Sequence, residues 1–139
     1  MIILVINCGS SSIKYQLLDM KNDDVYSLLA KGIVEKIGLE CGRLQHTPAG
    51  KEKVVKDLPV PDHTVGMQIV LDALIDKDHG VLKSFDDIEA VGHRIVQGAD
   101  FFSGSAIVDE DVIKKIDFCC DFAPLHNPAH LLGIRACQE

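Results

Sequence analysis

The opening of the chain constrains its fold more than any other stretch: Ile2-Ile3-Leu4-Val5-Ile6, then Asn7-Cys8-Gly9-Ser10-Ser11-Ser12, then Ile13 to Leu18. The first segment is an unbroken apolar run, the pattern of a strand covered on both faces. The second reads as a turn. In the third, Ile13, Tyr15 and Leu17 alternate against Lys14 and Gln16, the period of a second strand. Two strands joined by a glycine and three serines commit the chain to a sheet with closely spaced hydrogen-bond donors at one end.

Further along, a third strand is expected over Val25 to Glu35, interrupted near Gly32. A polar hairpin is expected from Arg43–Thr47 and Lys53–Leu58 around Pro48-Ala49-Gly50. Met67, Val70, Leu71 and Leu74 fall on one face of a helix predicted from Thr64 to Lys77, with Gly80 placed to end it. Ala90–Val96 reads as another buried strand and Ser105–Val108 as a short one. Asp109-Glu110-Asp111 puts negative charge on the first turn of a helix that buries Val112, Ile113 and Ile116. A last helix starts with Asn127 as cap and Pro128 at its first position, and runs to Glu139 without a stop signal. The expectation is one α/β domain over residues 1–139, a mixed sheet with helices packed on it and a truncated C-terminal end.

The chain has 139 residues, 47% of them hydrophobic and 25% charged, enough to bury a real core. Its formal net charge of −7 disfavours nucleic acid and anionic membrane as partners, so a phosphorylated substrate needs a few well-placed cations. Five cysteines without C-x-x-C spacing read as free thiols of a reducing compartment, neither disulfide framework nor zinc site. The N-terminal apolar run is too short for a signal peptide, and nothing approaches the roughly 20 apolar residues of a membrane span. A cytoplasmic location is expected.

Three segments carry chemistry. In Asn7 to Lys14, glycine and serines offer N–H and hydroxyl donors to phosphate oxygens, and Lys14 alternates to the face opposite Ile13. No Walker A pattern occurs, and a strand, not a helix, follows. A serine-rich hairpin turn with a solvated lysine is the equally open structural reading. Gly92-His93-Arg94-Ile95-Val96-Gln97-Gly98 places a guanidinium at the end of an apolar strand, where it needs a counter-ion or a cleft. A structural ion pair is the alternative. Ala123-Pro124-Leu125-His126-Asn127-Pro128 brings a histidine to a helix N-terminus, a place where anions bind. A capping-loop histidine is the alternative there. His46, His63, His79 and His130 are assigned no role.

Taken together and in this order, the three segments resemble the signatures of the acetate kinase family. The resemblance covers the whole chain, roughly the first third of a full-length member. It implies an actin-like and Hsp70-like fold of ribonuclease-H-like domains around a nucleotide cleft. It implies reversible transfer of the ATP γ-phosphoryl to acetate, giving acetyl phosphate and ADP, with Mg²⁺, in a protein that is a homodimer at full length. By position, Asn7 would help hold the metal, and Ser10, Ser12 and Lys14 would contact phosphates. Arg94 would grip the carboxylate or the transferring phosphoryl, Val96 and Leu125 would wall the acetate methyl pocket, and His126 would stand near the phosphoryl. Gln97, Ala99 and His130 depart from the residues usual in the family (histidine, glycine and asparagine). The family's catalytic aspartate and adenosine-binding part lie beyond residue 139, so the chain alone is expected not to turn over. A propionate or butyrate kinase, or a non-catalytic actin-like phosphate-binding or nucleotide-binding module, are the alternatives.

Overall fold

The computed structural model describes residues 1–138. Its centre is a six-stranded mixed sheet: β1 (Ile2–Cys8), β2 (Ser12–Asn22), β3 (Val25–Glu35), β4 (Gly42–Pro48), β5 (Val54–Leu58) and β6 (Ala90–His93), in the order β5-β4-β3-β2-β1-β6. The first five strands form an antiparallel meander, and β6 returns to lie parallel to β1. Between β5 and β6 runs α1 (His63–Ile75); after β6 come α2 (Glu110–Phe118) and α3 (Asn127–Gln138). A parallel return to the same sheet needs a crossover of this kind.

The alternation predicted for the second strand decides which face is buried. Leu4, Ile6 and Cys8 of β1 and Ile13, Tyr15 and Leu17 of β2 point inward into one core with Met67, Val70 and Leu74 of α1, which lies over β2 and β3 while α3 lies over β1. Burying an aliphatic side chain of this size contributes about 1.5–3 kcal/mol, and these residues form the main core. Gly32 does not interrupt β3. A Cβ there would lie 2.4 Å from both the Tyr15 hydroxyl and the Gln45 carbonyl, so glycine lets the Tyr15 ring lie across the strand. The irregularities of β3 fall instead opposite Leu17/Leu18 and Met20/Asn22. A second cluster, Ile113, Ile116 and Ile134 with Ile95 and Phe102, joins α2 and α3.

Several expectations need correction. The Ile2–Ile6 run is covered on one face only: Val5 is exposed, because among the described residues both long helices lie on the opposite side of the sheet. Ala90–Val96 is not a buried strand. The ladder stops at His93, and as an edge strand β6 leaves Val91 exposed. Ser105–Val108 is irregular, with Ile107 pointing to solvent, since no neighbouring strand pairs with it. Helix α1 ends at Ile75, before Gly80, because the Asp76 carboxylate accepts from the Asp78 and His79 N–H groups and turns the chain. Glu139 lies outside the described residues.

Candidate active site

The turn after β1 is held from three directions. The Gly9 N–H donates to the Ser12 carbonyl at 2.8 Å, closing it, and the Ile37 N–H donates to the Ser11 carbonyl at 3.0 Å. From the start of α1, the His63 Nε2 donates to the Gly9 carbonyl at 2.7 Å. A Cβ at Gly9 would sit 3.0 Å from the Ser12 Oγ, so glycine lets that hydroxyl tuck against the turn. With its main chain fixed, the loop leaves Ser10 exposed and Ser12 half-buried, and neither hydroxyl has a protein partner among the described residues. A preorganised turn with free hydroxyls suits an anion.

Asn7 and Lys14 face each other directly across β1 and β2, on the open side of the sheet. They line a shallow hollow of about 630 Å³ together with Val5, Gln16, Lys31 and Lys53. Lys14 therefore extends on the face opposite Ile13, as its alternation predicts.

On the other flank of β1, Ile6 pairs with His93, and the Arg94 N–H donates to the Ile6 carbonyl at 3.1 Å. Arg94 thus stands one register step from Asn7, at the end of the sheet where the serine turn lies. Its side chain is exposed and makes no salt bridge among the described residues. The ion-pair alternative finds no partner there. His93 turns its Nδ1–H onto the Arg94 carbonyl at 2.8 Å, and burial holds its pKa below the usual histidine value.

Helix α3 closes this end of the molecule. Its first helical bond runs from the His130 N–H to the His126 carbonyl at 3.0 Å, so His126, not Asn127, occupies the cap position. The Asn127 side chain is fully buried and turned away from the helix. Its Nδ2 donates to the Gln97 carbonyl at 2.8 Å and its Oδ1 accepts from the Gln97 N–H at 3.3 Å. His130, 1% exposed, accepts the Val96 N–H on Nδ1 at 3.3 Å. Its ring lies edge-on to His93 at 5.7 Å and stacked on His126 at 6.4 Å. Burial, with His93, His126 and Arg94 nearby, pushes the His130 pKa down to about 4. His130 is neutral at pH 7. Val96 and Leu125 are 43% and 75% exposed, on two segments that α3 joins through Val96 and its own N-terminal loop.

Three of the histidines that the sequence leaves without a role are structural partners of the site or core. His63 fixes the serine turn, His130 fixes Val96, and His46 accepts from the Tyr15 hydroxyl and donates to the His79 carbonyl. For His130 a signal existed: four residues after His126, it shares a helix face with it. His63 gave no local signal, since its partner is 54 residues away. The cysteines are free, and burial lifts the Cys8 thiol to about 12, which makes it a poor nucleophile. Among the described residues, one group has metal-like spacing: Asp76, Asp78 and His79. It lies at the far end of α1 from His63, and the Asp76 carboxylate is already committed to the turn. No described helix is long and apolar enough to cross a membrane.

An antiparallel meander with a parallel return strand, a glycine–serine turn at the first hairpin and helices packed against the sheet define an α/β domain of the actin-like ATPase fold. The chain belongs to the acetokinase family, whose model matches residues 2–139. It is 52% identical over 137 residues to an acetate kinase of Caldanaerobacter subterraneus subsp. tengcongensis, covering 99% of this chain and 33% of that protein. The crystal structure of Porphyromonas gingivalis acetate kinase superposes with a TM-score of 0.92 at 45% identity, over 97% of this chain and 33% of that one. A propionate kinase from Francisella tularensis subsp. tularensis superposes with a TM-score of 0.83 at 36% identity, over 99% and 33%. The chain therefore spans about a third of the length of the relatives it matches.

Proposed function

We propose that this chain is the N-terminal part of an acetate kinase, which transfers the γ-phosphoryl of ATP reversibly to acetate to give acetyl phosphate and ADP. The observation that carries the reading is Arg94: an exposed guanidinium, free of any ion pair, one register step from Asn7 and beside the serine turn. An arginine left without a counter-ion at the end of a strand is free to grip a carboxylate or phosphoryl with two parallel hydrogen bonds.

Phosphoryl transfer asks the protein for in-line positioning and neutralisation of spread negative charge. Ser10, Ser12 and Lys14 take the nucleotide phosphates. Arg94 takes the carboxylate or the moving phosphoryl, and His126 at the N-terminus of α3 adds a donor near it. Val96 and Leu125 offer apolar surface to the acetate methyl. Asn7 fits a supporting role toward Mg²⁺: it offers one neutral amide oxygen, and the ammonium of Lys14 directly opposite suits a metal that arrives already bound to phosphates. The metal, when bound, neutralises phosphate charge.

Half a cleft does not turn over, so the 139-residue chain alone is expected to be inactive, and the full-length protein is a cytoplasmic homodimer in this reading. The likeness to a propionate kinase supports a second reading, in which a longer acid is preferred. One methylene in an apolar pocket is worth only about 1–3 kcal/mol, so imperfect discrimination follows in either case.

The experiment is Arg94→Ala and Arg94→Lys in a protein of the relatives' full length carrying this segment. A bond between charged groups is worth about 1.5–3 kcal/mol. Loss of kcat/KM for acetate by roughly 10–100-fold in Arg94→Ala, with incomplete recovery in Arg94→Lys, is the expected result. Carboxylate-dependent turnover unchanged in Arg94→Ala contradicts the role.

A further inference from the structure

Beyond Arg94 the chain leaves the sheet, and its main-chain groups need partners that no strand provides. The ladder ends with the Arg94 N–H on the Ile6 carbonyl. The next polar groups are met by side chains of α3. His130 accepts the Val96 N–H, and the Asn127 amide takes both the N–H and the carbonyl of Gln97, at 3.3 and 2.8 Å. An amide side chain facing a peptide group with donor to acceptor and acceptor to donor can mate in one orientation only, which fixes its flip. Asn127 also donates to the Ile116 carbonyl at 3.4 Å, tying α2 into the same joint. Both residues are buried, at 0% and 1% exposure, so neither is available to a ligand.

We propose that His130 and Asn127 are positioning residues, holding the main chain of Val96 and Gln97 so that the side chains of Arg94 and Val96 stand in fixed register with the serine turn. The inference rests on the kinase reading and assigns a role to residues that reading does not use. His130 is the more telling of the two. Its ring stacks on His126 and lies edge-on to His93, the last residue of β6. One side chain thus touches three places: the end of β6, the run after it and the N-terminal cap of α3. The neutral ring is the competent form, because only an unprotonated Nδ1 accepts from the Val96 N–H.

A positioning role has a signature that a merely structural one lacks. The residues grip the acetate side of the site, while the turn that meets the nucleotide is held separately by His63 and Ile37. In the full-length protein, His130→Phe removes the acceptor and keeps a ring of similar size. An acetate KM raised at least fivefold, with the ATP KM within twofold of the parent, is expected. His130→Asn restores an acceptor oxygen and is expected to bring the acetate KM back to within threefold. Asn127→Asp keeps the shape but sets a carboxylate against the Gln97 carbonyl, and the same selective rise in acetate KM is expected. If His130→Phe does not fold, His130→Asn and Asn127→Asp decide: an acetate KM within twofold of the parent in Asn127→Asp overturns the proposal. Acetate and ATP KM rising in parallel, or a drop in kcat alone that tracks a smaller folded fraction, also overturns it. A parent protein that forms no acetyl phosphate contradicts the kinase reading itself, and the inference falls with it. A working parent with unresponsive variants sinks the inference alone.

Discussion

His63 donates to the Gly9 carbonyl from 54 residues away, and that bond is what turns a serine-rich loop into a fixed one. Removing it leaves a half-buried carbonyl without a partner, a loss of about 1–3 kcal/mol. His63→Phe fills the same space without the donor. It is expected to lower stability by that order in urea unfolding and to raise the ATP KM several-fold in the full-length protein, with the acetate KM little changed. An unchanged ATP KM would mean that Ile37 and the turn's own closing bond suffice. At this scale the sequence was half legible. The serines and Lys14 were singled out by a turn between two strands and by strand alternation, whereas Asn7 entered only through the family resemblance. The clamping contacts of His63 and Asn127 were not legible, and His130 showed only its spacing from His126, because their partners are main-chain groups distant in sequence, and a histidine or asparagine beside a helix start looks the same whether it caps, floats or clamps.

Helix α3 lies on β1 and β6 by virtue of a residue with no side chain. A Cβ at Gly133 would come within 2.3 Å of the His93 Nε2 and 2.4 Å of the Cys8 Sγ, both on buried groups that have nowhere to retreat. Gly133→Ala gains about 1 kcal/mol of helix propensity and meets an overpacking cost of about 1–3 kcal/mol. A net loss of stability is expected, with α3 displaced from the sheet and the Val96 and Gln97 clamp loosened. Gly104→Ala, where nothing lies within 4 Å, is the matched control and is expected to be neutral. Chemical unfolding of both variants checks the contrast, and a Gly133→Ala as stable as the control would contradict the packing account. Elements were more legible than their ends. The hairpin β4–β5 and the strand β3 fall where polarity and turn residues put them, since those signals are local. The extent of β6 and the disorderly run at Ser105–Val108 depended on which neighbours exist for them, and apolar composition says nothing about neighbours.

At the scale of the molecule, the chain forms one sheet with helices on one face and the candidate catalytic groups gathered at one end. The open face carries Lys14, Lys31 and Lys53 around the hollow that Asn7 lines, in a chain whose net charge is −7. Cations grouped in this way are what an anion-binding site on an acidic chain would need. The fold class was readable from the order of strands and helices. The one-sided sheet was not, because an apolar run such as Ile2–Ile6 has the same composition whether one face or two are covered. The relatives this chain matches are about three times as long. The most direct test is hydroxamate-detected acetyl phosphate formation from ATP, Mg²⁺ and acetate, run on the full-length protein beside the 139-residue chain, with propionate and butyrate as further acceptors. The account predicts turnover by the longer protein and none by the chain alone. Turnover by the isolated chain, or none by the longer protein with any of the three acids, would contradict it.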